Sequence, residues 1–171
     1  MASAARVQLD LEKILWLPTG DPRYRQAPVA SGEHRLAMLR LALEGEHESE
    51  IDTRELAPGA SGYTVDTLRE LRLELGRETT MILLLGADQY GKLGAWRRPE
   101  EVKRLAKIAV CKRPGFEKKI DRETLLVEMP PMAVAGSEIR ARVARGEPID
   151  EMVPAAVAGY IAEHGLYRLP S

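Results

Sequence analysis

Three apolar runs stop abruptly, and each stop carries residues able to do chemistry. Met81-Ile82-Leu83-Leu84-Leu85 gives way to Gly86-Ala87-Asp88-Gln89, with Trp96 a few residues on. Ile108-Ala109-Val110-Cys111 gives way to Lys112-Arg113-Pro114-Gly115, and Ile14-Leu15-Trp16-Leu17 to Pro18-Thr19-Gly20, with Arg25 in the loop beyond. In an open α/β sheet, ligands bind at the carboxyl ends of the strands. Thr19, Arg25, Asp88 and Arg113 are therefore expected on one edge, with Trp96 beside them. An arginine offers a planar fork of donors that matches phosphate oxygens. An aspartate accepts hydrogen bonds from ribose hydroxyls or helps to hold Mg²⁺. A tryptophan stacks on a flat heterocycle. The helix start at Ser137 adds free backbone N–H groups and a positive dipole end, both suited to phosphate. This is the chemistry of a nucleotide site.

Taken singly, each residue has a plainer reading. Asp88 alone reads first as a cap on the following helix, and Trp96 equally well as a core anchor. Arg25 and Arg113 alone read as solvated charges, and Ser137 is a good helix cap whatever else it does. His34 and His164 read as helix-end residues and His47 as loop, with no metal-ligand spacing among them. Cys111 ends an apolar strand and reads as a small buried hydrophobe. No nucleophile–base pair for a hydrolase stands out.

The elements that must position these residues alternate along the chain. Residues 2–11 read as the tail of an Ala-rich helix and Ile14–Leu17 as a buried strand. Ser31 is expected to cap a helix with Leu36, Leu39 and Leu43 on one face, ended at Gly45. Ile51–Leu56 reads as a weaker strand. Thr64 is expected to cap a helix with Val65, Leu68, Leu71 and Leu75 inward. Met81–Leu85, apolar throughout, suits a parallel strand covered on both faces. A helix over 98–106, the strand Ile108–Cys111, a charged loop over 116–122 and a strand Thr124–Met129 follow. A helix capped by Ser137 and a last helix over 154–163, with Pro154 in its first turn, complete the order. Strands alternating with helices imply a doubly wound, Rossmann-like parallel α/β sheet with flanking helices and right-handed crossovers.

Composition sets the bounds. The chain has 171 residues, read as one domain over 1–171 with room for a real core. Its net charge of −1 supplies no basic field for nucleic acid. The single cysteine excludes an internal disulfide and a multi-cysteine zinc site and points to the reducing cytoplasm. No apolar run approaches the roughly 20 residues needed to span a bilayer, so no membrane partner is expected.

In order and spacing these segments resemble bacterial nicotinate-nucleotide adenylyltransferases, over nearly the whole chain. The resemblance rests on Leu15-Trp16-Leu17-Pro18-Thr19-Gly20, the Pro22-Arg23-Tyr24-Arg25 loop and Glu33-His34-Arg35-Leu36-Ala37-Met38. It continues through Ser61-Gly62-Tyr63-Thr64-Val65-Asp66-Thr67-Leu68, Leu85-Gly86-Ala87-Asp88-Gln89, Trp96, Lys112-Arg113-Pro114-Gly115 and Ser137-Glu138-Ile139-Arg140. It ends with Val153-Pro154 to Tyr160-Ile161 and His164-Gly165-Leu166-Tyr167.

The resemblance implies that nicotinate mononucleotide attacks the α-phosphate of ATP, giving deamido-NAD and pyrophosphate, with Mg²⁺ and no covalent intermediate. Catalysis would be positioning plus neutralisation of phosphate charge. Carried onto this chain, Thr19 and Arg25 would lie along the mononucleotide, and Arg113 would help to bind it. The backbone around Tyr63-Thr64 and Trp96-Arg97 would hold the nicotinate ring and its carboxylate. Gly86 and Asp88 would face the ATP nucleoside, and Ser137 and Arg140 would bind ATP phosphates, with no metal-ligating residue assigned. An adenylyltransferase acting on phosphopantetheine is the enzymatic rival, and a non-catalytic mononucleotide-binding remnant the rival of another class.

The chain departs from the family at three places. Tyr24 stands where the family usually has His. The family's Ile-Ser-Ser-Thr-x-Ile-Arg stretch is Val134-Ala135-Gly136-Ser137-Glu138-Ile139-Arg140, with two hydroxyls lost. The family's opening strand and Gly-Gly-x-Phe-Asp-Pro-x-His-x-Gly-His segment, whose histidines bind ATP phosphates, has no counterpart, so impaired activity is expected of the chain as written. That strand would lie between Ile14–Leu17 and Met81–Leu85. Each buried backbone group left unpaired costs about 1–3 kcal/mol, against a whole-domain stability of roughly 5–15 kcal/mol. Met1 is therefore read as an internal methionine, with about 20–30 residues encoded upstream. An in-frame stop codon without that segment would refute it.

Overall fold

The computed structural model describes residues 1–20, 30–112, 120–129 and 134–168. They gather into two compact units, one of Met1–Ile14 and Ser61–Met132, the other of Leu15–Ala60 and Ala133–Ser171.

The first unit holds a three-stranded parallel sheet in the order β3-β4-β5, with β3 Ile82–Gly86, β4 Lys107–Lys112 and β5 Leu125–Glu128. Ile82 pairs with Lys107 and Gly86 with Cys111, and Ala109 pairs with Leu125. Ile108, Ala109, Val110 and Cys111 of β4 are all buried, as an unbroken apolar run requires when both faces are covered. Helix α1, Ala2–Gln8, covers one face: Ala5 is fully buried against Ala109, Cys111 and Val127. Helix α5, Pro99–Leu105, meets β4 and packs along α3, Thr64–Leu75. Val65, Leu68 and Leu71 of α3 and Val102 of α5 are buried, whereas Leu75, expected inward with them, is exposed at the end of α3. A short helix α4, Ala87–Tyr90, follows β3 without a gap.

In the second unit β1, Ile14–Trp16, pairs with β2, Ser49–Ile51. The Trp16 carbonyl accepts the Asp52 N–H at 2.9 Å, and the Trp16 indole donates to Ser49 Oγ at 3.1 Å. The strand expected over Ile51–Leu56 is displaced: β2 lies at Ser49–Ile51 and shares only Ile51 with it. The Asp52 carboxylate accepts the Arg54 N–H at 2.9 Å and pairs with Arg54 Nε at 2.7 Å, which folds Arg54–Leu56 into a 3₁₀ turn. Helix α2, Gly32–Ala42, starts at Ser31, whose hydroxyl accepts the His34 N–H as predicted, and Gly45 lies two residues past its C-cap with φ +84°. Helices α6, Gly136–Ala144, and α7, Ala155–Glu163, complete the unit. Ile149, Val157 and Ile161 form its buried cluster, with Met38 and Leu41 of α2 and Ile139 and Val143 of α6 packed against it.

Two expected caps fall elsewhere. Tyr63 is the N-cap of α3, in extended conformation, and Thr64 is the first helical residue. Ala135 is the N-cap of α6, which leaves Ser137 inside the first turn. A cap residue must hold non-helical backbone angles, and in both helices that conformation falls on a residue without a capping oxygen. No helix among the described residues is long and apolar enough to cross a membrane.

Candidate active site

In the first unit the start of α3 and the segment entering α5 come together. Ser61 Oγ accepts the Tyr63 N–H at 3.2 Å, a turn that presents Tyr63 just before α3. The Arg97 guanidinium lies over the Tyr63 ring, 4.6 Å from its centroid. Arg97 Nη1 stands 4.0 Å from Asp66 Oδ2, and Asp66 Oδ1 accepts from Arg69 Nη1 at 2.8 Å. Arg69 also grips Glu101 with Nε and Nη2, both at 2.8 Å. This fork holds the Glu101 carboxyl below the usual carboxylate range, chiefly through the Arg69 hydrogen bond, and holds the Arg69 guanidinium above its own.

Between Trp96 and α5 the chain turns sharply. Trp96 closes a 3₁₀ turn over Leu93–Ala95 and is half-buried, while Leu93 is buried beneath. Arg98 adopts left-handed angles (φ 52°, ψ 58°), uncommon for an arginine, and Pro99 then opens α5. Tyr63, Thr64, Trp96 and Arg97 thus lie on two segments that the Arg69–Glu101 fork and the Tyr63–Arg97 stack tie together.

Gly86 ends β3 and is the N-cap of α4, and Asp88 stands exposed in the first turn of α4. Asp88 therefore does not cap that helix, and its carboxylate makes no hydrogen bond or ion pair with another described residue. Tyr90, at the end of α4, holds the start of β5: its hydroxyl accepts the Asp121 N–H at 3.1 Å and meets Thr124 Oγ1 at 3.3 Å.

In the second unit Thr19 is exposed on the loop after β1. Gly20 follows with its Cα pressed on the Glu55 carbonyl oxygen, so that a Cβ there would collide with backbone. Ser137 and Arg140 share the start of α6. Arg140 Nη1 lies 3.2 Å from where a Cβ on Gly136 would stand, so the glycine makes room for the guanidinium beside the helix's first N–H groups. A donor fork next to a helix N-terminus is a surface suited to phosphate oxygens. Arg25 and Arg113 lie outside the described residues.

Some of the machinery around these residues escaped the sequence reading. The Arg69–Glu101 pair joins the two segments and had no local trace, whereas the flanking Asp66–Arg69 and Arg98–Glu101 pairs are (i, i+3) neighbours. A cleft of about 590 Å³, in the size range of small-molecule sites, opens in the second unit between Gly20, Ser31, Arg35, Arg40 and Thr53. Arg35 Nε donates to the Ala30 carbonyl at 3.2 Å, while its buried Nη2 has no hydrogen-bond partner among the described residues. His34 and His164, expected at helix ends, meet across α2 and α7: His34 Nδ1 is hydrogen-bonded to the Tyr160 hydroxyl at 3.0 Å, and the two imidazoles lie 5.2 Å apart. Among the described residues, no group of three or more His, Cys, Asp or Glu side chains is placed to hold a metal ion.

The family described as Cytidylyltransferase-like matches residues 1–142. A Chromobacterium violaceum protein named "Probable nicotinate-nucleotide adenylyltransferase" is 34% identical over 98% of this chain and 90% of its own length. A Laribacter hongkongensis protein of the same name is 38% identical over 100% of this chain and 88% of its own length. The Plasmodium falciparum nicotinic acid mononucleotide adenylyltransferase solved in complex with NaAD superposes with a TM-score of 0.73 at 18% identity, covering 96% of this chain and 90% of that one. The chain shares that α/β fold, and it belongs to the cytidylyltransferase-like family, among the nicotinate-nucleotide adenylyltransferases.

Proposed function

We propose that this protein transfers the adenylyl group of ATP to nicotinate mononucleotide, giving deamido-NAD and pyrophosphate in NAD biosynthesis. The observation that carries the reading is the identity of 34–38% to nicotinate-nucleotide adenylyltransferases along nearly the whole chain. In the reaction a phosphate oxygen of the mononucleotide attacks the α-phosphorus of ATP. The bond from that phosphorus to the bridging oxygen breaks, and pyrophosphate leaves with the electron pair. The protein forms no covalent bond; its work is to align the two phosphates and offset their charge.

The residues divide by substrate. Tyr63, Thr64, Trp96 and Arg97 take the pyridine ring and its carboxylate, and Thr19, Arg25 and Arg113 the rest of the mononucleotide. Gly86 and Asp88 face the ATP nucleoside, and Ser137 and Arg140 take ATP phosphates at the start of α6. Mg²⁺, when bound, neutralises phosphate charge on ATP. The ion keeps most of its waters and takes substrate phosphates plus at most one or two carboxylates, so it needs no protein cage. The exposed, uncommitted Asp88 carboxylate fits that modest demand. The cytoplasm is the compartment this reading assigns.

Pyrophosphate release tests the proposal, with ATP, Mg²⁺ and in turn nicotinate mononucleotide, nicotinamide mononucleotide and phosphopantetheine. Release with nicotinate mononucleotide supports it. Release only with phosphopantetheine overturns the substrate. Calorimetric binding of nicotinate mononucleotide without ATP binding or turnover assigns the protein to a mononucleotide-binding role instead.

A further inference from the structure

We propose that His34 and His164 form a site for a borderline transition-metal ion (Zn²⁺, Ni²⁺ or Cu²⁺) that fastens α7 to α2. Neither residue is assigned to a substrate of the proposed reaction.

The two imidazoles come from different helices and meet at one place. His34 stands in the first turn of α2, just past the Ser31 cap, and His164 is the C-cap of α7. The two helices pack on each other. Met38 and Leu41 of α2 lie against the buried cluster that includes Val157 and Ile161 of α7, which fixes both backbones. The imidazole centroids are 5.2 Å apart. An ion about 2.1 Å from one nitrogen of each ring, with tetrahedral angles, holds two such centroids roughly 5 Å apart. The pair therefore already has the spacing that a shared ion requires.

Tyr160, one turn before His164 on α7, orients both rings. Its hydroxyl is hydrogen-bonded to His34 Nδ1 at 3.0 Å, and its ring centroid lies 4.1 Å from that of His164. With the proton on His34 Nδ1, the phenol oxygen accepts it and Nε2 keeps the lone pair that ligates a metal. A metal-bound histidine almost always donates its other ring N–H to such a partner, which fixes tautomer and ring orientation together. Imidazole suits Zn²⁺, Ni²⁺ and Cu²⁺, whereas Mg²⁺ prefers oxygen ligands, so the Mg²⁺ of the proposed reaction does not compete. His164 is exposed, and no third His, Cys, Asp or Glu side chain among the described residues completes the group, so water takes the remaining positions. With two protein ligands, occupancy follows the supply of metal, and each bound ion stabilises the docked α7.

Calorimetric titration of the chelator-treated full chain with ZnCl₂, NiCl₂ and CuCl₂, in the presence of Mg²⁺, tests the proposal in wild type, His164→Gln, His34→Gln and Tyr160→Phe. Wild type is expected to bind an ion at this site. Tyr160→Phe, which keeps both imidazoles and loses the Nδ1 partner, is expected to weaken binding about tenfold, and each histidine substitution at least as much. With the ion about tenfold above the wild-type Kd, the wild-type melting temperature is expected to rise by about 3–6 °C and that of His164→Gln by less than about 2 °C. His164 is exposed, so His164→Gln keeps the metal-free fold even where His34→Gln does not. Electron paramagnetic resonance of the Cu²⁺ form is expected to show two nitrogen ligands in wild type and one in His164→Gln. Equal affinity in wild type and His164→Gln overturns the proposal and places the ion elsewhere. So does a wild type that binds none of the three ions. Neither result touches the proposed adenylyl transfer.

Discussion

Arg69 on α3 holds Glu101 on α5 by two parallel hydrogen bonds of 2.8 Å each. The pair spans 32 residues of sequence and ties together the helices that carry Tyr63 and Arg97 at their heads. It does for the site what neither helix does alone, since both aromatic-bearing segments are irregular backbone.

That fork has a pH signature. Because Arg69 lowers the Glu101 pKa in the folded state, the stabilisation is complete above the unfolded glutamate pKa of about 4.3 and is lost as pH falls through the lower folded value. Glu101→Gln is expected to melt below wild type at pH 7, with the two converging in acid. Thermal melts from pH 7 down to pH 3 check this, and a gap that stays constant refutes it.

Gln8 completes the backbone of the outer strand. Its side-chain amide donates to the Glu128 carbonyl at 2.8 Å and accepts the Glu128 N–H at 2.9 Å, as a neighbouring strand would. Gln8→Ala is expected to cost about 1 kcal/mol. Gln8→Glu, which loses the donor and sets an anion against a carbonyl, is expected to cost at least as much. Urea unfolding and amide exchange at Glu128 measure both.

A side chain at Gly20 would meet the Glu55 carbonyl oxygen, which is backbone and cannot swing away. Gly20→Ala is expected to lose about 1–3 kcal/mol, the usual cost of overpacking. An alanine variant as stable as wild type in urea would show that the loop after β1 shifts freely.

Arg140 and Arg145 offer a matched pair. Arg140 lies against Gly136 at the start of α6, whereas Arg145 is bound to Glu147 at 2.6 and 2.8 Å. Arg140→Ala is expected to weaken ATP binding about tenfold, and Arg145→Ala to leave it unchanged. Equal effects in an ATP titration would remove Arg140 from the phosphate site.

Cys111 is 1% exposed, and burial pushes its thiol above the usual range. The thiolate that reacts is therefore scarce and shielded. Alkylation by iodoacetamide is expected to track unfolding in urea, and fast labelling of the native protein would contradict that packing.

The local order of the elements was legible in the residues themselves. Met81–Leu85 and Ile108–Cys111 are unbroken apolar runs stopped by glycine or charge, and both form parallel strands, β4 buried throughout its apolar run and β3 with Ile82, Leu83 and Leu84 still partly exposed. The same applies to the inward face of α3 and to the Ser31 cap, where the signal lies within a few residues. The caps at Thr64 and Ser137 were misplaced by one and two residues because the backbone angles at a helix start depend on the turn that delivers it. The strand expected over Ile51–Leu56 lies instead at Ser49–Ile51, because Asp52 bonds to Arg54 and turns the chain, a competition between side chain and ladder that propensity does not reveal.

Only the tertiary structure decided which charges meet. Arg97 on Tyr63, Arg69 on Glu101 and Gln8 on Glu128 join residues on different elements, and no periodicity marks such partners in advance. A chain has many arginines and glutamates on solvated faces, and packing alone selects the few pairs whose geometry holds. The amino-acid sequence determined that a nucleotide-handling α/β fold forms and roughly where its strand ends lie. The packing of α3 on α5 decided that one guanidinium, Arg97, stays pinned over the Tyr63 ring.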